Sequence, residues 1–161
     1  MVANYRYTKV LALAAGLVMS WLPATSTIAQ QAAPQPFTLS DSNPGAEVGG
    51  STNGIFALSN IAGRDRRGNI CVGFADSAPN HVMVLQQNFD SLTLQVNSGG
   101  SDTTLLVQGP DDSMIRCGED TDRRNPDAQI QDQNWAAGTY RIWVGSHNQG
   151  QRHSYSLSVK P

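Results

Sequence analysis

The sequence predicts an all-β protein, an antiparallel β-sandwich or jelly roll of about eight strands. Three observations carry that expectation. From about residue 55 onward apolar residues recur with period two, so each segment has one face to bury and one to wet. Turn chemistry punctuates the chain at short, regular intervals, in "NSGGSD", "GPDDS", "AAG" and "HNQGQ". No stretch after the N-terminus carries a sustained helical stripe. Short strands with one apolar face each bury it by packing sheet on sheet.

In chain order, residues 1–29 read as a secretory signal peptide. Arg6 and Lys9 give a positive start, "VLALAAGLVMSWL" gives an apolar core, and Pro23 with "ATSTIA" leads to a cleavage point after Ala29. The apolar run falls short of the roughly 20 residues a membrane-spanning helix needs. No membrane span is therefore expected after cleavage; a retained N-terminal anchor is the other reading. Residues 30–52, "QQAAPQPFTLSDSNPGAEVGGST" within a run rich in Gln, Pro, Ala, Gly and Ser, are expected to form a flexible linker. The sandwich is placed at 53–161.

Its strands are expected at "GIFALS" (54–59), "ICVGF" (70–74), "HVMVLQQ" (81–87), "DSLTLQVN" (90–97), "TTLLVQ" (103–108), "SMIRC" (113–117), "GTYRIWVGS" (138–146) and "HSYSLSVK" (153–160). Leu92, Leu94 and Val96 share one face. So do Tyr140, Ile142 and Val144, and then Tyr155, Leu157 and Val159.

Without Arg6 and Lys9 the chain holds nine basic and thirteen acidic residues. A mildly acidic domain with no basic stripe is a poor partner for nucleic acid or anionic lipid. Cys71 and Cys117 are the only cysteines. An even pair in an exported chain points to a disulfide, and two buried free thiols are the alternative.

The run 102–159 resembles the bacterial pre-peptidase C-terminal domain family. Asp-Thr-x-Leu at 102–105, an acidic turn at Glu119 and Asp120, Gly-x-Tyr-x-Ile-x-Val at 138–144 and Tyr-x-Leu at 155–157 carry the resemblance. The family is similar in fold to the collagen-binding domains of secreted collagenases. The resemblance implies a jelly roll, often calcium-stabilised and usually appended to an extracellular enzyme. This chain departs from the pattern in carrying no peptidase and in reading Glu119-Asp120 where Asp-Asp is expected.

"CGEDTDRRNPD" (117–127) is the most chemical stretch of the chain. Calcium takes six to eight oxygens, and Asp102, Glu119, Asp120, Asp122 and Asn125 are the candidate ligands, with Asp127 beside them. The run does not match the helical calcium loop, since Arg124 stands at its third ligand position. Arg123 and Arg124 open the other reading, a solvated turn with arginine pairing. Asp111 and Asp112 read as hairpin residues.

No G-x-S-x-G, H-E-x-x-H, C-x-x-C or phosphate-cradling loop occurs, and His81, His147 and His153 are isolated in sequence. Arg141 and Trp143 fall on the strand face opposite Tyr140, Ile142 and Val144 and are candidate ligand-binding residues. Alternatively Trp143 covers the sheet edge or packs under the N-terminal segment. The expected function is a non-enzymatic secreted or periplasmic binding module, recognising an extracellular polymer or an exported protein, with calcium as its candidate cofactor. An accessory, targeting or chaperone-like partner of an exported peptidase is the second reading, and a small hydrolase the third. Ligand identity and oligomeric state are not legible in the chain.

Overall fold

A computed structural model describes residues 34–161. The signal peptide expected at 1–29 lies outside the described residues. Twelve strands form two sheets. They are β1 (Pro36–Leu39), β2 (Ala46–Ser51), β3 (Phe56–Ala57), β4 (Phe74–Ala75), β5 (His81–Leu85), β6 (Phe89–Asn97), β7 (Thr103–Gln108), β8 (Ile115–Gly118), β9 (Asp120–Asp122), β10 (Asn125–Trp135), β11 (Gly138–Ser146) and β12 (Ser154–Lys160).

The first sheet runs β1-β5-β11-β4-β3, with β7 also paired to β11 and β8 to β7. The second runs β2-β12-β6-β10-β9. All pairings are antiparallel except β1 with β5. Between the sheets lies the main core, in which Leu92, Leu94 and Val96 of β6 and Leu157 and Val159 of β12 face Met83, Tyr140, Ile142 and Val144. These are the faces that period-two alternation assigns to the inside, and each fully buried aliphatic side chain contributes about 1.5–3 kcal/mol.

A second, smaller core lies apart from this one. Leu58, Cys71, Ala75, Leu106, Ile115 and Trp143 form it, with Ile61, Ala62 and Cys117 packed against it. Neighbouring residues of a strand point to opposite faces, so Leu106 and Trp143 stand on the face of the first sheet away from Val107, Ile142 and Val144. The 58–75 segment covers that face, and β7 and the second half of β11 are consequently buried on both sides.

Several expectations are corrected here. The flexible linker placed at 30–52 is, from Pro36, two strands: Leu39 is fully buried, and β2 adds to the edge of the second sheet along β12. Backbone pairing holds these residues where side chains are few, so composition hides them. "ICVGF" is strand only at Phe74, and "GIFALS" gives two strand residues before a single 3-10 turn at Leu58–Asn60. The longest strand, β10, had no counterpart among the expected ones.

His81 is buried at the start of β5, its Nε2 2.8 Å from the hydroxyl of Tyr155. Burial holds the imidazole below its ordinary value and, with Asp76, raises the Tyr155 phenol. The folded state therefore excludes a proton that the unfolded chain accepts below about pH 6.5, and stability should fall as pH drops through that value. Urea midpoints at about pH 8 and about pH 5.5 test this: the wild-type midpoint falls between them, and His81→Gln removes that part of the fall.

Candidate functional site

Three of the nine basic residues in 34–161, Arg66, Arg67 and Arg116, gather where the two sheets adjoin. β8 is paired on one side only, by β7. Its other edge approaches β10, and the two backbones meet at Gly118, where a Cβ would lie 2.1 Å from the carbonyl oxygen of Gln129. Only glycine permits that approach. The Gln129 N–H donates to the Glu119 carbonyl at 2.7 Å, and at the other end of β8 the Arg66 N–H donates to the Ile115 carbonyl at 3.1 Å. Between these two bridges the seam is filled by side chains.

Asp132, 4% exposed, is the hub. It points inward from β10, in step with Ala128 and Ile130. Its Oδ2 accepts from Arg116 Nε at 2.8 Å and Arg66 Nε at 2.9 Å; its Oδ1 accepts from the Gln133 N–H at 2.9 Å and from Arg67. Burial alone would raise this carboxyl, but the donors from Arg66, Gln133 and Arg116 outweigh it and hold it below the ordinary carboxylate range.

Arg116 is 2% exposed. Its guanidinium lies over the Trp135 ring, 3.9 Å from the centroid, and its Nη2 donates to the Asn134 carbonyl at 3.1 Å. Asn134 takes a φ of +58°, a conformation asparagine adopts more readily than most residues. Burial and the neighbouring Arg66 pull Arg116 down from its ordinary value, against the support of Asp132. Its Nη1 is buried and has no hydrogen-bond partner.

Above this cluster opens a groove of about 710 Å³. Its walls are β8 and β10 on one side and the 65–72 loop on the other, with Arg67, Ile70, Arg116, Glu119, Gln131 and Asp132 among the lining residues. Asp65 ties the loop into its own turn, accepting from the N–H groups of Arg67 and Asn69. The Cys71–Cys117 disulfide, Cα–Cα 5.4 Å, fastens the loop to β8. Ile70, 58% exposed, stands in the groove as one of two exposed large hydrophobic residues among those described.

The residues singled out in the sequence are placed elsewhere or otherwise. Cys71 and Cys117 are joined, as expected of an exported pair. Trp143 is 5% exposed and belongs to the second core, so it presents no free surface; the 58–75 segment, which alternation along β11 does not reveal, covers it. Arg141 is exposed and pairs with Asp112. Such a pair contributes between about 0 and 1 kcal/mol, and Arg141→Gln should leave the melting temperature within about 4 °C of wild type by calorimetry.

Among the described residues, no group of three or more His, Cys, Asp or Glu side chains is placed to hold a metal ion. Of the candidate calcium ligands, Asp122 accepts from the N–H groups of Arg124 and Asn125, and Asn125 accepts from that of Asp127. Asp102 faces His147 at 4.0 Å. Glu119 and Asp120 are exposed at the start of β9. Asp127 is buried instead, its carboxylate receiving the Ser98 N–H at 3.0 Å and the Ser98 hydroxyl. That contact secures the "NSGGSD" turn.

No protein-family model matches the chain, and no curated protein does. Among solved structures, it is similar to the pre-peptidase C-terminal domain of collagenase from Bacillus anthracis, at 14% identity over 81% of this chain and 98% of that one, with a TM-score of 0.47. It is also similar to PliG of Aeromonas hydrophila, a periplasmic inhibitor of g-type lysozyme, at 16% identity over 80% of this chain and 95% of that one, TM-score 0.43. A third is CorA, a surface-associated copper-binding protein of Methylomicrobium album BG8, at 11% identity over 80% and 98%, TM-score 0.44.

Proposed function

We propose that this is a non-enzymatic binding module working outside the cytoplasm, and that the groove between β8, β10 and the 65–72 loop is its ligand surface. One observation carries the reading. An open groove of about 710 Å³ brings an exposed apolar side chain, Ile70, together with convergent polar groups on a disulfide-fastened frame, the composition by which binding sites are recognised. The disulfide supports an oxidising compartment. The motif shared with the pre-peptidase C-terminal domain family falls on β7 to β12 and supports membership in it.

A hydrolase reading is less favoured. The described histidines face Tyr155, Asp102 and Gln151; of these only the Tyr155 hydroxyl is a nucleophile beside a base, and it is buried with His81 and held protonated by that burial. Calcium at Asp102, Glu119, Asp120, Asp122 and Asn125 is a separate part of the proposal. Melting with calcium and with a chelator decides it: a rise of several degrees assigns the ion, and an unchanged transition removes it.

The groove is tested by immobilising the domain and exposing it to secreted proteins and extracellular polymers. Ile70→Glu should abolish specific capture while the melting temperature holds, because Ile70 is already exposed. Hydrogen exchange on the complex should slow at 65–72, 116–119 and 129–132. Capture unchanged by Ile70→Glu, with protection elsewhere, would refute the assignment.

A further inference from the structure

The groove is balanced in charge, and its strand edges are closed. Asp65, Glu119 and Asp132 set three carboxylates against the guanidinium groups of Arg67 and Arg116, and Arg66, which also reaches Asp132, brings the local sum to zero. Such a site gives a charged ligand no electrostatic advantage. The backbones of β8 and β10 already meet at Gly118 and Gln129, and the Ile115 carbonyl is taken by the Arg66 N–H. A ligand here is therefore read by side chains.

Those side chains offer donors and acceptors together. Glu119 and Gln131 line the groove and are exposed; the first only accepts, and the second both donates and accepts. On the loop wall Asn69 donates its Nδ2 to Asp65 at 3.1 Å, which leaves its Oδ1 as an acceptor. Arg116 supplies an independent observation. Two of its nitrogens are bonded, whereas Nη1 has no acceptor although the residue is 2% exposed. A buried charged donor left unpaired is costly. Among these polar groups stands Ile70, an exposed apolar side chain.

Resting on the reading of the groove as the ligand surface, we propose that it takes an uncharged segment of an extracellular polysaccharide. A pyranose ring carries C–H bonds on its faces and hydroxyls around its rim. Ile70 covers a ring face, while the rim hydroxyls donate to Glu119 and Asn69, exchange hydrogen bonds with Gln131 and give Arg116 Nη1 the oxygen it lacks. Each hydroxyl is donor and acceptor at once, which suits a lining where both kinds of group stand side by side. The bonds to Glu119 and Arg116 are charge-assisted and belong to the stronger class without requiring a charge on the ligand. A polypeptide is the less favoured occupant, because an extended chain pairs its amides along an open strand edge, and the edges here are closed.

The disulfide-intact protein is titrated with cellohexaose, laminarihexaose and chitohexaose, and with an uncharged Gly-Ser repeat peptide, while the side-chain amide and guanidinium NMR signals are followed. At least one oligosaccharide should shift the signals of Asn69, Gln131 and Arg116, with the same affinity at about 50 mM and about 500 mM salt, because no ligand charge is screened. Gln131→Ala should bind it about tenfold less tightly. Gln86→Ala, which removes the same side chain from an exposed site outside the groove, should bind as wild type does. No shift with any of the three sugars, a response to the peptide alone, affinity that collapses in high salt, or equal losses in the two variants would each overturn the proposal. If Ile70→Glu abolishes partner capture while no oligosaccharide moves these signals, the sugar assignment fails and the groove reading survives. If an oligosaccharide binds but shifts signals elsewhere, and capture ignores Ile70→Glu, the groove reading fails and the placement of the sugar fails with it.

Discussion

Asp132→Asn is expected to destabilise the domain by about 3–5 kcal/mol, the usual effect of removing one partner from a buried ion pair. The amide nearly preserves the shape of the side chain, so the loss reports charge and hydrogen bonding in place of a cavity. Arg66 and Arg67 can turn toward water, being partly exposed. Arg116 cannot: it is held between Asp132, the Asn134 carbonyl and the Trp135 ring, and its charge would be left buried with one fewer anion. Urea unfolding at neutral pH measures the loss. A change below about 1 kcal/mol would mean that water already shields the cluster.

The same carboxylate sets an acid limit on stability. Because its folded value lies below the ordinary one, its contribution is fully present above about pH 4 and is lost as pH falls through the folded value. Asp132→Asn should therefore lose less stability than wild type on acidification below about pH 4. The double variant Arg116→Met, Asp132→Leu separates the charge of the pair from its packing. Well-packed apolar replacements of buried ion pairs are often neutral or stabilising, so it should recover most of the loss.

How much of this was legible in the chain depends on which face of each strand met the core. Leu92, Leu94 and Val96, or Tyr155, Leu157 and Val159, sit on strands with one dry face, and alternation alone locates them. β10 keeps the same alternation through Ala128, Ile130 and Asp132, but its third inward residue is a carboxylate and its outward ones are glutamines. Hydropathy reads that as a polar loop. Trp143 fails for the opposite reason: β11 has two dry faces, and the segment covering the second is irregular and distant in sequence. The site itself is assembled from Arg66, Arg67, Arg116 and Asp132, none of which forms a motif with another. The one signal able to join them was the cysteine pair, since a bond between Cys71 and Cys117 brings the arginines just before Cys71 beside the one just before Cys117.

That bond is also the second place where a small change should have a large effect. Replacing both cysteines by alanine opens a loop whose ends are 46 residues apart, and the chain-entropy estimate for a loop of that length is about 4 kcal/mol. Cys71 and Cys117 further belong to the second core with Leu58, Leu106 and Trp143, so losing the sulfurs also loosens packing over that face of the first sheet. The main core between the sheets contains neither cysteine. The double variant should therefore still fold in the cold, with the strands of the second sheet protected from hydrogen exchange as in wild type. Residues 61–73 should exchange faster, because the disulfide is one of the few ties that hold them, beside the Arg66 bridge, the contacts of Arg66 and Arg67 with Asp132, the packing of Ile61 and Ala62 and a few turn contacts. Groove binding should fall further than stability, since Arg67 and Ile70 ride on that loop. Unchanged exchange at 61–73 in the double variant would show that Trp143 and Ile115 anchor the loop by packing alone, and would transfer the origin of the groove's shape from the disulfide to the second core.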